Sequence, residues 1–592
     1  MVQPQQGLVR RNLGAEDWFL CLVAPEAAET PDQLPQIIDW FPAQVPGTVA
    51  ASLAALGRWQ RDQPSPLHDH DVWYRCHFTT DAPSRIHFAG LASIATVFLN
   101  GEEVLHSRSM MLAHDLEIDH AGGHDLAIRF HALNPLLASA KGPRARWRPA
   151  MITPAALRFI RTSPLGFMPG WCPSIDTIGP WRDITLSRIT EQPALHSLRM
   201  VAGWEQENAT IDLDIGLDRD VDDACYLSVG ENRVRVPRTA KNRFAGKLTF
   251  PGLLPWLPHT HGEPHLYKTI LDVNGVTISL GDIGFRQIEI DRGGDGHGFS
   301  LRINGIRVFA RGAVWTPLDP VGFRDDPEPM LRRFQGAGLN MVRLSGTMVP
   351  ETPTFHAACD RLGIMVWQDL PFANFDYPFD DPEFRVVATA ECRQLMSRLQ
   401  VHPSTTVLCG GSEIAQQATM MGLAPARAEV PFLETTMAAL ARDLIPDVPY
   451  VPHTPFGGAL PFQANVGVTH YFGVGAYRRP VEDARRAEVR FATESLAFAN
   501  VPAPSTLRRH DLQPGTPRWK AAVPRDAGAE WDFEDIRDHY LKARFGIDPS
   551  LREIDPTRYL DLSRMVSAAL IEAVFTEWRR PGSTTGGGLV WF

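Results

Sequence analysis

Several things are missing from this 592-residue chain, and each absence removes a class of function. Its seven cysteines are scattered with no C-x-x-C pair and no regular spacing, which argues against a disulfide framework or a zinc site and fits a reducing compartment. No apolar run approaches membrane-spanning length. The formal charge of −10 is modest for this size and leaves no basic stripe for nucleic acid. The opening "MVQPQQGLVRRNLGAEDW" lacks the apolar core of a signal peptide, so a cytoplasmic protein is expected, or a periplasmic one if a leader has been lost. There is no internal repeat and no low-complexity tract. Nothing reads as a membrane or nucleic-acid partner, and the sequence leaves the oligomeric state open.

What is present is a chain too long for one domain, with an ordinary globular composition. The first third reads as all-β. "VWYRCHFTT" (72–80), "SRIHFAG" (84–90), "ATVFLNGEEVLH" (95–106) and "HDLAIRFHAL" (124–133) are short β-rich runs, with Asn100-Gly101 as a hairpin turn. With "WRDITLSRI" (181–189) they suggest a sandwich or jelly roll over 1–190. A second set, "ATIDLDIGL" (209–217), "ACYLSVG" (224–230), "NRFAGKLTF" (242–250) and "YKTILDV" (267–273), suits an immunoglobulin-like sandwich over 191–292. From 293 to 592 strands alternate with helices: "LRINGIRVFARGAVW", "PEPMLRRFQGAGLN", "MVRLSG", "TPTFHAACDRLG", "IMVWQDL". That rhythm, without a Gly-rich phosphate loop after its first strand, predicts a parallel (β/α)8 barrel rather than an open sheet.

In such a barrel, catalytic side chains sit at the C-terminal ends of strands. Those ends carry Arg343, Asp369, Glu413, His470 with Tyr471, Glu494 and Trp591. Glu413 follows the apolar run of "TTVLCGGSEIAQQ" and has two readings. It is a helix N-terminus with Ser412 as the cap, or it is an acid at the barrel mouth. Two glutamates at two strand ends are the minimum equipment for glycoside hydrolysis, in which one protonates the leaving oxygen and the other attacks the anomeric carbon or activates water. Trp171 and Trp315 are either core aromatics or sugar platforms. Asp376 is a further carboxylate candidate. The "HDHD" (68–71) and "HTHGEPH" (259–265) stretches invite a metal reading, but they lack helical ligand spacing and read as solvated loops, so no metal and no cofactor is expected.

The motifs resemble glycoside hydrolase family 2, in its β-mannosidase-like branch. "VPGTVAASL" (45–53) and "GLASIATVFLNGEEV" look like its jelly roll, and "PGWCPSIDTIGPWRDI" (169–184) like its Gly-Trp-Asp-Trp-Gly-Pro segment. "HGEPHLY" and "IGFRQIEID" look like the end of its immunoglobulin-like domain. "FARGAVWTPLD", "LGIMVWQDLPFANFDYP" and "HPSTTVLCGGSE" resemble the first, third and fourth barrel strands, and "THYFGV" with "RFATESLAFANVP" the region of the nucleophile. The resemblance implies a retaining β-glycosidase acting on terminal β-linked sugars, β-mannosides foremost, with Glu413 as acid/base and Glu494 as nucleophile. With those roles, a nucleophile must be ionised and an acid protonated at one pH. Arg343 and Tyr471 are therefore expected to hold Glu494 ionised, while burial and the neighbouring charge keep a proton on Glu413. Endo-action, another sugar, or a glycan-binding protein with a disabled barrel are the alternatives.

Three recognition positions depart from the family. Ser412 replaces an asparagine before the acid/base, Ser345 stands where a tryptophan is usual, and Cys172 aligns with an aspartate lent by the jelly roll. "GGGLVWF" looks like an eighth strand at which the chain stops, and a poorly covered barrel seam is expected there.

Overall fold

The computed structural model describes residues 10–36, 38–221 and 224–591. The leader reading concerns residues that include 1–9, and the last residue of the eighth-strand motif is Phe592; both lie outside the described residues. No helix among the described residues is long and apolar enough to cross a membrane.

The first unit packs two antiparallel sheets face to face. A six-stranded sheet has Trp18–Val23, Asp71–Thr80, Gly122–Phe130 and Ala95–Leu99 at its centre, and a four-stranded sheet contains Ser84–Phe88 and Ile184–Arg188. Alternate residues of these strands (Val72, Tyr74, Cys76, Phe78, Ile86, Phe88, Ile128, Phe130) point between the sheets and form one apolar core. Asn100 and Gly101 adopt the left-handed conformation that a two-residue hairpin requires. The second unit is a sandwich of two four-stranded sheets around Ile211, Leu213, Leu227, Phe244 and Leu271.

A small antiparallel sheet, Ile288–Asp291, Ser300–Ile303 and Ile306–Val308, then leads into eight parallel strands. We number these β1 (Ala310–Trp315), β2 (Met341–Leu344), β3 (Met365–Asp369), β4 (Thr405–Cys409), β5 (Tyr450–Val451), β6 (Thr469–Tyr471), β7 (Phe491–Ser495) and β8 (Gly587–Val590). The helices used below are α1 (Glu328–Gly336), α2 (Pro353–Leu362), α3 (Pro382–Leu399), α4 (Ile414–Met420), α5 (Phe533–Phe545) and α6 (Pro556–Arg579). Hydrogen-bonded order is β5-β4-β3-β2-β1-β8-β7-β6, so the sheet curls into a (β/α)8 barrel.

The strands alternate in a way that decides the site. Met341, Met365, Trp367, Val407, Phe491 and Leu589 turn inward onto Phe299, Leu301 and Ile303, plugging one end of the barrel. Val342, Leu344 and Val366 turn outward onto Leu331, Phe355 and Ala358 of α1 and α2. Arg343 lies in phase with Met341, and Asp369 with Trp367; both therefore project inside, beyond the plug.

The seam expected to be weak at β8 is not. Residues 587–590 pair with 310–313 of β1, and 587–588 also pair with 491–492 of β7. The gap in the ladder lies between β5 and β6, where the single bridge Phe456↔Val468 takes over. Both units grip the barrel with buried ion pairs. Arg161 reaches Glu391 at 2.6 Å and Arg286 reaches Asp447 at 2.6 Å.

Candidate active site

At the open end of the barrel, Arg343 is the hub. It is fully buried, and its guanidinium donates to Asp369 at 2.7 Å, to Glu494 at 2.8 Å, to Thr454 Oγ1 at 2.8 Å and to Ser412 Oγ at 3.1 Å. Burial works against this cation, but Asp369 and Glu494 outweigh it and hold it charged. Asp369 is fixed in turn by the Trp367 indole N–H at 3.0 Å and the Gly346 amide at 3.2 Å.

Glu413 begins α4 in a left-handed conformation, φ 56°, and its side chain caps nothing. The helix-cap reading is half right, because the backbone of Glu413 is the N-cap position. The carboxylate is instead aimed into the barrel mouth. It accepts from Asn374 Nδ2 at 3.1 Å, Gln416 Nε2 at 2.6 Å and His470 Nδ1 at 2.8 Å. Ser412 does not cap either; its hydroxyl faces Arg343. A left-handed glutamate costs roughly 1 kcal/mol or more and marks a position fixed for its side chain.

His470 joins the two acids. Its Nε2 lies 3.4 Å from Arg343, which can only donate, so the ring carries its hydrogen on Nδ1. That N–H donates to Glu413 and lies 3.4 Å from Glu494 Oε2. Glu413, His470 and Glu494 each present an atom within 4.8 Å of the other two, close enough to hold a metal ion. With Nδ1 donating to Glu413 and Nε2 accepting from Arg343, however, the imidazole offers no free lone pair, and an added cation would sit beside a guanidinium. The trio reads as a hydrogen-bonded carboxylate pair.

The protonation bias of that pair is the reverse of the expected one. Burial pushes the Glu494 carboxyl up, and the nearby Glu413 charge adds to this, while His470 and Arg343 only partly compensate. Burial also raises Glu413, but the His470 N–H, Asn374 and Arg343 outweigh it and leave the group below the ordinary range. Two features escaped the sequence reading. Arg343 divides its charge between Glu494 and Asp369, and the phenol meant to serve Glu494 points elsewhere.

That phenol is Tyr471, which on β6 alternates outward from His470. Its hydroxyl donates to Asp483 at 2.9 Å and its ring packs on Trp578 of α6. Trp315 also leaves the site. It turns outward from β1 onto Phe355, with its N–H on Glu351 at 3.0 Å. Asp376 pairs with Arg146 at 2.8 Å and is a structural anchor. Trp171 and Trp591 do meet, ring centroids 5.9 Å apart, and Trp171 donates to Asp526 at 3.2 Å. Asp526 is raised by burial and, in part, by the charge of Glu413, and Tyr477, 66% exposed, feels the same charge; both belong to the rim. Burial pushes the Cys172 thiol up to about 11. His68 and Asp71 are buried rather than solvated, Asp71 pairing with Arg129 at 2.7 Å. Asn374, Gln416 and Asp526 were missed by sequence reasoning. Asn374 lies in the quoted "LPFANFDYP" run and was within reach, whereas Asp526 sits in an aperiodic loop that carries no signal.

The opposed shifts give opposite signs for two neutral substitutions. The raised Glu494 contributes stability that is full below its unfolded value of 4.5 and is lost as pH rises through the folded value. The lowered Glu413 contributes stability above 4.5 that is lost as pH falls through its folded value. Near neutral pH, Glu494→Gln is expected to raise the melting temperature and Glu413→Gln to lower it, each by about 1–3 °C. Calorimetry against pH checks this; the Glu494→Gln gain should vanish as pH falls to 4.5, and shifts of the same sign would contradict it.

The chain is similar in sequence and fold to several known proteins. Residues 26–182 match the glycosyl hydrolase 2 galactose-binding domain-like family. β-Mannosidase B of Aspergillus terreus is 29% identical over 497 residues, covering 74% of this chain and 57% of that protein. β-Mannosidase B of Thermothelomyces thermophilus is 27% identical over 553 residues, covering 86% and 64%. The chain thus spans less than two thirds of the length of either relative. Among solved structures, the β-D-mannosidase of Dictyoglomus thermophilum superposes with a TM-score of 0.85 at 23% identity, over 98% of this chain and 74% of that one. The exo-chitosanase of Amycolatopsis orientalis gives 0.66 at 19% identity, over 100% and 69%. In domain match, relatives and fold alike, the chain is similar to proteins of glycoside hydrolase family 2, β-mannosidases among them.

Proposed function

We propose that this chain is a retaining β-glycosidase that removes terminal β-linked sugars, β-mannosides foremost, by double displacement. The observation that carries this reading is the approach of Glu413 and Glu494, with carboxylate atoms within 4.8 Å of each other. Retaining enzymes hold their carboxyls about 5–5.5 Å apart, whereas inverting ones leave about 6.5–9.5 Å. Glu494 is the nucleophile, because its carboxylate is bonded to Arg343, the full cation of the site. Glu413 is the acid/base, because its carboxylate bonds to Asn374, Gln416 and His470 and not to the guanidinium that holds Glu494. The two titrate as a unit, and the proton biased towards Glu494 at rest must pass to Glu413 to give the reactive form. The relatives named β-mannosidase support the sugar.

One observation favours a second reading of the substrate. Ser412 is spent on Arg343, and a hydroxyl is too short to reach where an amide would. A different β-glycoside, or an exopolysaccharide fragment, would fit such a change. A panel of aryl β-glycosides (mannoside, glucoside, galactoside, glucuronide, glucosaminide) tests both readings. The highest kcat/KM is expected on the mannoside, and another sugar ranking first would overturn that preference. No turnover on any member would leave only a glycan-binding role.

A further inference from the structure

Where the jelly roll meets the barrel flank, a cleft of about 50 Å³ is lined by Trp181, Arg182, Glu351, Thr352, Pro353 and Arg398. It adjoins a second cavity of about 30 Å³ that shares Arg182, Glu351 and Thr352 and adds Asp319 and Asp325. Arg182 belongs to the segment entering the last jelly-roll strand, and Arg398 to the last turn of α3. The cleft is therefore built from two units.

Its charges do not close. Elsewhere in this protein, the buried arginines 129, 161, 286 and 343 each meet a carboxylate, and buried Arg158 is held by backbone carbonyls. The half-buried Arg182 and Arg398 meet no carboxylate among the described residues. Arg182 instead stacks on Trp181 at 4.1 Å and donates to the Pro350 carbonyl at 2.5 Å. Arg398 makes no hydrogen bond or ion pair among the described residues. Glu351 and Asp183 act on Arg182 only at a distance, and Glu351 is engaged by the Trp315 indole at 3.0 Å. Burial pushes both guanidinium groups down to about 10, which is what cations without a counter-charge undergo. The N-terminus of α2, capped by Thr352, adds its positive end to the same cleft.

We propose that this cleft binds a tetrahedral oxyanion, as free phosphate or as the phosphate of a sugar phosphate, between Arg182 and Arg398, and that the anion ties the jelly roll to the barrel. Planar guanidinium forks suit such an anion, and one bridging both would complete the missing pairs. A ligand that binds only the folded state also stabilises it by mass action.

The test is a calorimetric titration of the full chain with inorganic phosphate, with chloride at equal ionic strength as reference and melting temperature as a second readout. Saturable one-site binding and a rising melting temperature are expected with phosphate and not with chloride. Arg398→Met should weaken binding by about tenfold or more, the loss of one charge-assisted contact, and Arg398→Lys should restore part of it. A hexose 6-phosphate binding more tightly than phosphate would identify the sugar-bound form, and equal binding the free ion. Phosphate acting no differently from chloride, or binding unchanged in Arg398→Met, would overturn the proposal. Should Arg398→Met not fold, the phosphate-against-chloride comparison on the native chain decides by itself.

Discussion

Replacing Glu494 with alanine is expected to abolish turnover of every substrate, by on the order of 10⁴-fold or more in kcat. The reason is covalent. Without that carboxylate no glycosyl-enzyme forms, and its neighbours among the described residues are already engaged. His470 has its Nδ1 hydrogen directed at Glu413 and its Nε2 facing Arg343, so it cannot attack. Asp369 is held by Arg343, Trp367 and Gly346. The fold should survive, because the Arg343 charge keeps its bond to Asp369 and does not become an unpaired buried cation. Steady-state assays with an aryl β-mannoside and with an unactivated disaccharide, alongside a melting curve, check this. Residual activity within tenfold of native would mean that another group attacks.

The Glu413→Ala variant is expected to behave differently according to the leaving group. A dinitrophenolate leaves without a proton, so formation of the glycosyl-enzyme should fall by less than about tenfold. A poor leaving group needs the acid, and its turnover should drop by about 10²–10⁴-fold. Because general-base help for water is also gone, the intermediate should accumulate and give a burst. Azide should then relieve it, since a small anion attacks without a base, releasing a β-glycosyl azide. Among the described residues the Glu413 side chain hydrogen-bonds to Asn374, Gln416 and His470, so its truncation removes no hydrogen bond of Arg343. Equal loss on both substrates with no response to azide would show that Glu413 is not the acid.

The gross architecture was legible because period and turn chemistry are local. Alternation in "VWYRCHFTT" and the Asn100-Gly101 turn mark the jelly roll. Gly-closed helices between short apolar runs mark the barrel, and Gly363 ends α2 in the left-handed conformation. The strand-end rule delivered Arg343, Asp369, Glu413, His470 and Glu494 to one cluster. It could not say which of two adjacent residues on a strand looks inward. His470 and Tyr471 cannot both do so, and the phase is set by packing of the outward member on Trp578. Trp315 was misjudged for the same reason, since β1 turns it onto Phe355. The electrostatic bias was illegible for another reason. It depends on how Arg343 divides its charge between Asp369 and Glu494, a distance effect that no spacing along the chain encodes.

The same division bears on mechanism. An arginine serving one carboxylate would hold Glu494 firmly ionised. Shared with Asp369, it leaves Glu494 raised, with Glu413 lowered across His470. Reaction then requires the pair to exchange its proton, and turnover should show a bell-shaped pH profile whose limbs belong to the pair rather than to either residue.

The most direct measurement is to trap the intermediate with an activated 2-deoxy-2-fluoro-β-mannoside, digest the protein and identify the labelled residue by mass spectrometry. The account predicts one sugar per chain, attached to Glu494 and discharged with net retention. A label on Glu413, or turnover to the inverted sugar with no label at all, would contradict it.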